Sequence, residues 1–136
     1  MKSSQAMREQ EPAALRPKCV LVVEDEFLVR MMLSEELRDC GFLVIEAASA
    51  DEALVILEAS APDLIISDVK MPGSIDGLGL LAVVRRSFAT LPVIIISAHL
   101  EAAHALGDGA TRFVPKPFSL QTLSALVRRE LDPRPS

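Results

Sequence analysis

"PDLIISDVKMPGSIDG" spans residues 62–77. Its first half is apolar at Leu64, Ile65 and Ile66, as in a strand buried on both faces. Asp68 stands where that strand stops, and Pro72, Gly73 and Gly77 then turn the chain. A carboxylate at the end of a buried strand is costly unless a partner uses it.

The same punctuation recurs on both sides. "KCVLVV" (18–23), "FLVIEA" (42–47), "DLIIS" (63–67), "PVIIIS" (92–97) and "TRFVP" (111–115) read as strands. Between them, 27–40, 77–88 and 119–131 carry apolar residues at helical spacing, and 101–109 reads as a shorter helix. Ser49 and Glu52 have capping-box spacing ahead of "ADEALVILEAS", Gly41 suits a helix C-terminus, and Ser119 suits an N-cap. Five strands alternating with five helices predict an α/β fold. Its sheet is parallel and doubly wound, with right-handed crossovers and helices on both faces. Residues 1–17 are expected to form a flexible arm, 18–131 one domain, and 132–136 a short proline-bearing tail.

Composition narrows the function. The 136 residues are half apolar and carry a net charge of −5, a globular balance that disfavours a broad nucleic-acid surface. No apolar run reaches the roughly 20 residues of a membrane helix, and the first seventeen lack a signal-peptide core. The expectation is a cytoplasmic protein without membrane or direct nucleic-acid contact. Cys19 and Cys40 are expected as unbridged, buried thiols.

Sites in open parallel sheets gather beyond the carboxyl ends of the strands. Those ends supply Glu24, Asp25 and Glu26 after the first strand and Asp68 after the third. Ser97 closes the fourth strand, and Lys116 follows the fifth between Pro115 and Pro117. Each has a plainer reading alone: helix N-terminal charge for Glu26, a turn hydroxyl for Ser97, a solvated lysine for Lys116. Together they form a cluster that wants a cation, since two carboxylates about 5 Å apart repel by roughly 3 kcal/mol at an effective dielectric near 20. Hard oxygen ligands beside a phosphate site suit Mg²⁺. A carboxylate kept ionised there can act as a nucleophile and form an aspartyl phosphate.

"VLVVEDE", "DLIISDVKMPG", "PVIIISA" and "FVPKPF" resemble the receiver domain of bacterial two-component response regulators, from about Lys18 to Leu131. The resemblance implies a flavodoxin-like strand order of 2-1-3-4-5. It makes Asp68 the phosphoacceptor. Glu24 and Asp25 become the acidic pair holding Mg²⁺ with Asp68 and the Lys70 carbonyl. Ser97 and Lys116 are phosphoryl-binding groups, and Ser97 and Phe113 the switch pair. It implies a sensor histidine kinase or phosphotransfer protein as donor. Output would run through the face of the 101–109 helix, the fifth strand and the last helix to an unknown downstream protein. The implied state is a monomer or a phosphorylation-dependent dimer.

The chain departs from the commoner family pattern in having Glu24 for Asp, Phe113 for Tyr, and one more residue between Gly73 and Asp76. Ending after its last helix, it reads as a stand-alone receiver rather than a turnover enzyme. The alternatives are a non-phosphorylated scaffold and a metal-dependent aspartyl-phosphate phosphohydrolase. Lys70 disfavours the latter, because it sits where such an enzyme wants a second carboxylate. His99 reads as a loop residue, or with Lys70 as a brake on phosphoryl hydrolysis. His104, Arg85 and Arg86 read as surface groups.

Overall fold

Alternating side chains on three fully buried central strands, flanked by two partly exposed edge strands, build a two-sided core. In the structure, a computed structural model describing residues 16–99 and 104–132, the strands are β1 (Cys19–Val23), β2 (Leu43–Ala47), β3 (Leu64–Asp68), β4 (Val93–Ser97) and β5 (Arg112–Pro115). The helices are α1 (Phe27–Asp39), α2 (Ala50–Ala59), α3 (Gly77–Ser87) and α4 (Leu120–Leu131). All pairings are parallel, in the order β2-β1-β3-β4-β5. Val20, Val22, Leu64, Ile66, Ile94 and Ile96 face Leu33 and Leu37 of α1 and Leu123 and Val127 of α4. Leu21, Val23, Ile65, Val93 and Ile95 face Ala53 of α2 and Leu80, Leu81 and Val84 of α3. The central strands are therefore apolar at successive positions because both faces are covered.

The helix boundaries follow local chemistry. Ser49 Oγ accepts the Glu52 amide at 3.1 Å, while Glu52 Oε1 accepts the Ala48 amide at 3.3 Å. Ser119 Oγ accepts the Thr122 amide at 3.2 Å. Beyond α1, the Gly41 amide donates to Arg38 O at 3.0 Å and the Phe42 amide to Leu37 O at 3.1 Å, a Schellman closure.

Three expectations change. The helix expected over 101–109 is, among the described residues, a 3₁₀ turn at 104–106 followed by a turn, with 101–103 outside them. Its Gly107 and Gly109 leave little to propagate a helix. Arg85, expected as a solvated surface group, is half-buried and tied down: Nε donates to Gly109 O at 2.7 Å and Nη1 to Phe88 O at 3.0 Å. Cys40 is only half-buried, although Cys19 is buried and no disulfide joins the two. The expected arm and tail lie almost wholly outside the described residues. Among the described residues, no helix is long and apolar enough to cross a membrane.

Candidate functional site

Parallel strands carry all their carboxyl ends to one edge, where the acids, Ser97 and Lys116 stand. Glu24 is the first residue past β1 and is completely buried, whereas the adjacent Asp25 is exposed. Asp68 ends β3 and is buried, its Oδ1 accepting the Val69 amide at 2.7 Å. Lys116 Nζ reaches back across the sheet, 2.8 Å from Glu24 Oε1 and 2.9 Å from Asp68 Oδ2. The Lys116–Pro117 peptide is cis.

The Glu24 carboxylate is held on both oxygens, since Oε2 accepts the Glu26 amide at 3.1 Å. Burial raises its pKa despite the opposing hydrogen bonds from Lys116 and the Glu26 amide, and the neighbouring Asp68 charge raises it further. Burial pulls the Lys116 ammonium down, but its hydrogen bonds to Glu24 and Asp68 and their charges outweigh that, so its pKa is raised overall. The lysine is thus a built-in counter-cation for two buried carboxylates from different strands.

Oxygens of Glu24, Asp25 and Asp68 lie within 4.8 Å of one another. Octahedral Mg²⁺ holds oxygens at about 2.0–2.1 Å, so its ligands are about 3–4 Å apart. The trio needs only a small contraction to fit that ion. Lys70 stands two residues beyond Asp68 in the exposed turn after β3. Glu26 is the N-cap of α1 but makes no side-chain cap bond; instead its Oε1 lies 3.8 Å from Lys116 Nζ.

Ser97 is fully buried, with Oγ accepting the His99 amide at 3.0 Å. Its carbonyl accepts the Lys116 amide at 2.9 Å, so the two are coupled through the backbone. Phe113 pairs with Ile95 on the β4–β5 ladder and is half-buried against the α2–α3 side of the core. His99 is half-buried rather than exposed, and His104 is exposed beside Asp108.

Several residues that shape this edge are silent in a one-dimensional reading. A Cβ on Gly77 would strike the Asp68 carbonyl oxygen and lie 2.8 Å from Val69 Cα. Its own amide donates to Val69 O at 2.8 Å. Glycine is required because α3 begins against the backbone of the Asp68 turn. The lengthened loop is latched to α2: the Ser74 amide donates to Asp51 Oδ2 at 2.9 Å, and Ser74 Oγ donates to Asp51 Oδ1. These hydrogen bonds hold the Asp51 carboxyl below its ordinary value. Gly73, with φ of +121°, packs against that carboxylate. Asp76 caps α3 through the Gly79 amide at 2.9 Å. The glycine after a buried strand was the one legible signal of close backbone approach.

A doubly wound parallel sheet with acids and a lysine converging at its carboxyl edge belongs to the open α/β class, whose sites lie beyond the carboxyl ends of the strands. Within that class, the response regulator receiver domain matches residues 20–128, and the chain belongs to that family. The DNA-binding transcriptional regulator NtrC of Escherichia coli K12 is 36% identical over 115 residues, covering 82% of this chain and 24% of that protein. An NtrX-like response regulator of Rickettsia felis is 39% identical over 114 residues, covering 81% and 24%. The chain therefore spans about a quarter of the curated relatives it matches. Among solved structures, Thermotoga maritima TrrA in complex with Mg²⁺–BeF superposes with a TM-score of 0.77 at 32% identity, over 83% of this chain and 98% of that one. Brucella abortus NtrX superposes at 0.81 with 34% identity, over 86% and 27%.

Proposed function

We propose that Asp68 accepts a phosphoryl group from a phosphohistidine on a sensor histidine kinase or phosphotransfer protein, and that the chain works as a cytoplasmic signalling switch. The observation that carries this reading is Lys116 bridging Glu24 and Asp68, with Asp25 in reach. An Asp68 carboxylate oxygen attacks phosphorus, the phosphorus–nitrogen bond breaks, and its electron pair returns to the donor imidazole. Mg²⁺ held by Glu24, Asp25, Asp68 and the Lys70 carbonyl would neutralise the phosphoryl oxygens during in-line transfer. Lys116 would move its hydrogen bond from the carboxylate to the new phosphoryl group. Beside Lys116 lies a largely apolar groove of ≈ 390 Å³, lined by residues including Val29, Met32, Phe118 and Leu120, where the donor protein can seat.

The phosphorylated aspartate gains roughly −1.5 to −2 charge and strong acceptor oxygens. Hydrogen bonds from Ser97 and Lys116 would each contribute about 1.5–3 kcal/mol. Together they approach the roughly 5.5 kcal/mol that inverts a 1:99 equilibrium. Ser97 moving inward draws on the β4–β5 ladder, and Phe113 fills the space it leaves. The altered face comprises the 104–109 turn, β5 and α4. Lys70 stands where a hydrolase would place an acid–base carboxylate, so the chain accepts the group rather than turning it over. The DNA binding named for NtrC belongs to that whole protein.

Incubation with Mg²⁺ and acetyl phosphate tests the reading. Intact-mass measurement should find one added phosphoryl group on wild type and none on Asp68→Ala. No gain on wild type would sink the reading in favour of a non-phosphorylated scaffold. Sustained hydrolysis of a phosphate ester would favour the hydrolase.

A further inference from the structure

Glu24 stands where the β1 ladder stops. Its amide still donates to Ala47 O at 3.0 Å. The paired run of β1 with β3, however, ends one residue earlier, at Val23 and Ser67. The Glu24 carbonyl is taken instead by a side chain: Arg30 Nη1 donates to it at 2.7 Å. Arg30 is itself fixed. Its Nε lies 3.4 Å from Glu46 Oε1 at the end of β2, and its guanidinium lies 5.6 Å from the Phe27 ring centroid. Glu46 is anchored in turn by Arg38 Nη2 at 3.2 Å. The Arg30 side chain is only 16% exposed.

This chain of contacts runs from β2, through α1, to the peptide joining Glu24 to Asp25. That peptide plane sets where both side chains leave the backbone. Freeing its carbonyl would release ψ of Glu24 and φ of Asp25, and with them the direction in which Asp25 leaves the backbone beside Glu24 and Asp68. Only a guanidinium can reach both anchors, because its donors diverge in a rigid fork while an ammonium is a single point.

We propose that Arg30 is a positioning residue for the acidic cluster, holding the Glu24–Asp25 peptide so that the carboxylates converge on a divalent cation. The inference rests on the metal-binding reading above. Its sign is opposite to simple electrostatics. Arg30 is a cation near an acidic site, so removing its charge should tighten Mg²⁺ binding if charge alone mattered. Positioning requires that binding weaken. Contacts of this outer kind are commonly worth 10–100-fold in metal affinity.

The test is a Mn²⁺ titration followed by paramagnetic resonance, with Mg²⁺ as competitor, on wild type, Arg30→Met and Arg30→Lys. Both variants should bind Mg²⁺ about ten-fold more weakly. In the metal-free variants, the Asp25 and Glu26 amides should exchange faster than in metal-free wild type, and unchanged exchange would count against the proposal. Equal or tighter binding by Arg30→Met, or wild-type affinity in Arg30→Lys, would overturn the proposal. Should Arg30→Met fail to fold, Arg30→Lys and Arg30→Gln carry the comparison. Wild type that binds no Mg²⁺ overturns the metal reading and this inference with it. Wild type that binds, with variants of equal affinity, overturns the inference alone.

Discussion

Lys116 Nζ lies 2.8 Å from Glu24 Oε1 and 2.9 Å from Asp68 Oδ2, so a single ammonium holds together two buried carboxylates separated by 92 and 48 residues from it in sequence. Removing one member of such a group strands the others. Lys116→Met should destabilise the metal-free protein by about 3 kcal/mol at neutral pH. Glu24 already has a raised pKa, so its share of stability is present below its ordinary 4.5 and lost as pH rises through the native value. Without the lysine that loss deepens, and the gap to wild type should widen as pH rises from acid to neutral, narrowing only where the Lys116 ammonium itself titrates, above its ordinary 10.5. Urea unfolding at several pH values measures it; a gap that is flat with pH would refute the pairing.

Gly77→Ala sets helix propensity against a backbone collision. Alanine is the better helix former, by up to about 1 kcal/mol. Its methyl would overlap the Asp68 carbonyl, which cannot yield without moving the Asp68 turn. The collision should win, with a net loss of about 2 kcal/mol and slower acceptance of phosphate from acetyl phosphate. A stabilised, fully active variant would show that α3 can slide.

Asp51 and Ser74 should give the lengthened loop an acid-sensitive latch. The Asp51 pKa is depressed, so the latch is complete above its ordinary value of 3.8 and fails as pH falls through the lower native value. Asp51→Ala should speed amide exchange at Ser74 at neutral pH. The difference from wild type should vanish at strongly acidic pH. Identical exchange at pH 7 would show that the loop holds itself.

Two serines on adjacent helices should respond oppositely to alanine. Ser34 Oγ is buried without a hydrogen-bond partner among the described residues. Ser124 Oγ donates to Glu36 Oε2 at 2.9 Å, tying α4 to α1. Ser34→Ala should stabilise by about 1 kcal/mol, and Ser124→Ala should destabilise by about the same. Paired urea melts decide this, and equal signs would contradict the hydrogen-bond assignment.

Much of the fold was legible because covering both faces leaves continuous apolar runs, as in "VLVV" and "VIIIS". The caps at Ser49 and Ser119 were legible because their partners lie within the next three residues. The helix expected over 101–109 is, in its described part, only a 3₁₀ turn at 104–106, because Gly107 and Gly109 turn the chain that follows. Arg85 was misjudged because the backbone oxygen that captures it lies 24 residues away.

By itself, the sequence determined the element order, the parallel sheet and the residue types at each strand end, since these depend on local pattern and short-range chemistry. The tertiary structure alone decided how those ends meet. It placed Lys116 between Glu24 and Asp68, put Arg30 on the Glu24 carbonyl with Glu46 behind it, and pressed Gly77 onto the Asp68 turn. The lysine joins elements 92 and 48 residues apart, and the other two depend on how a helix seats against a strand end, so none has a signature in the spacing of residues along the chain.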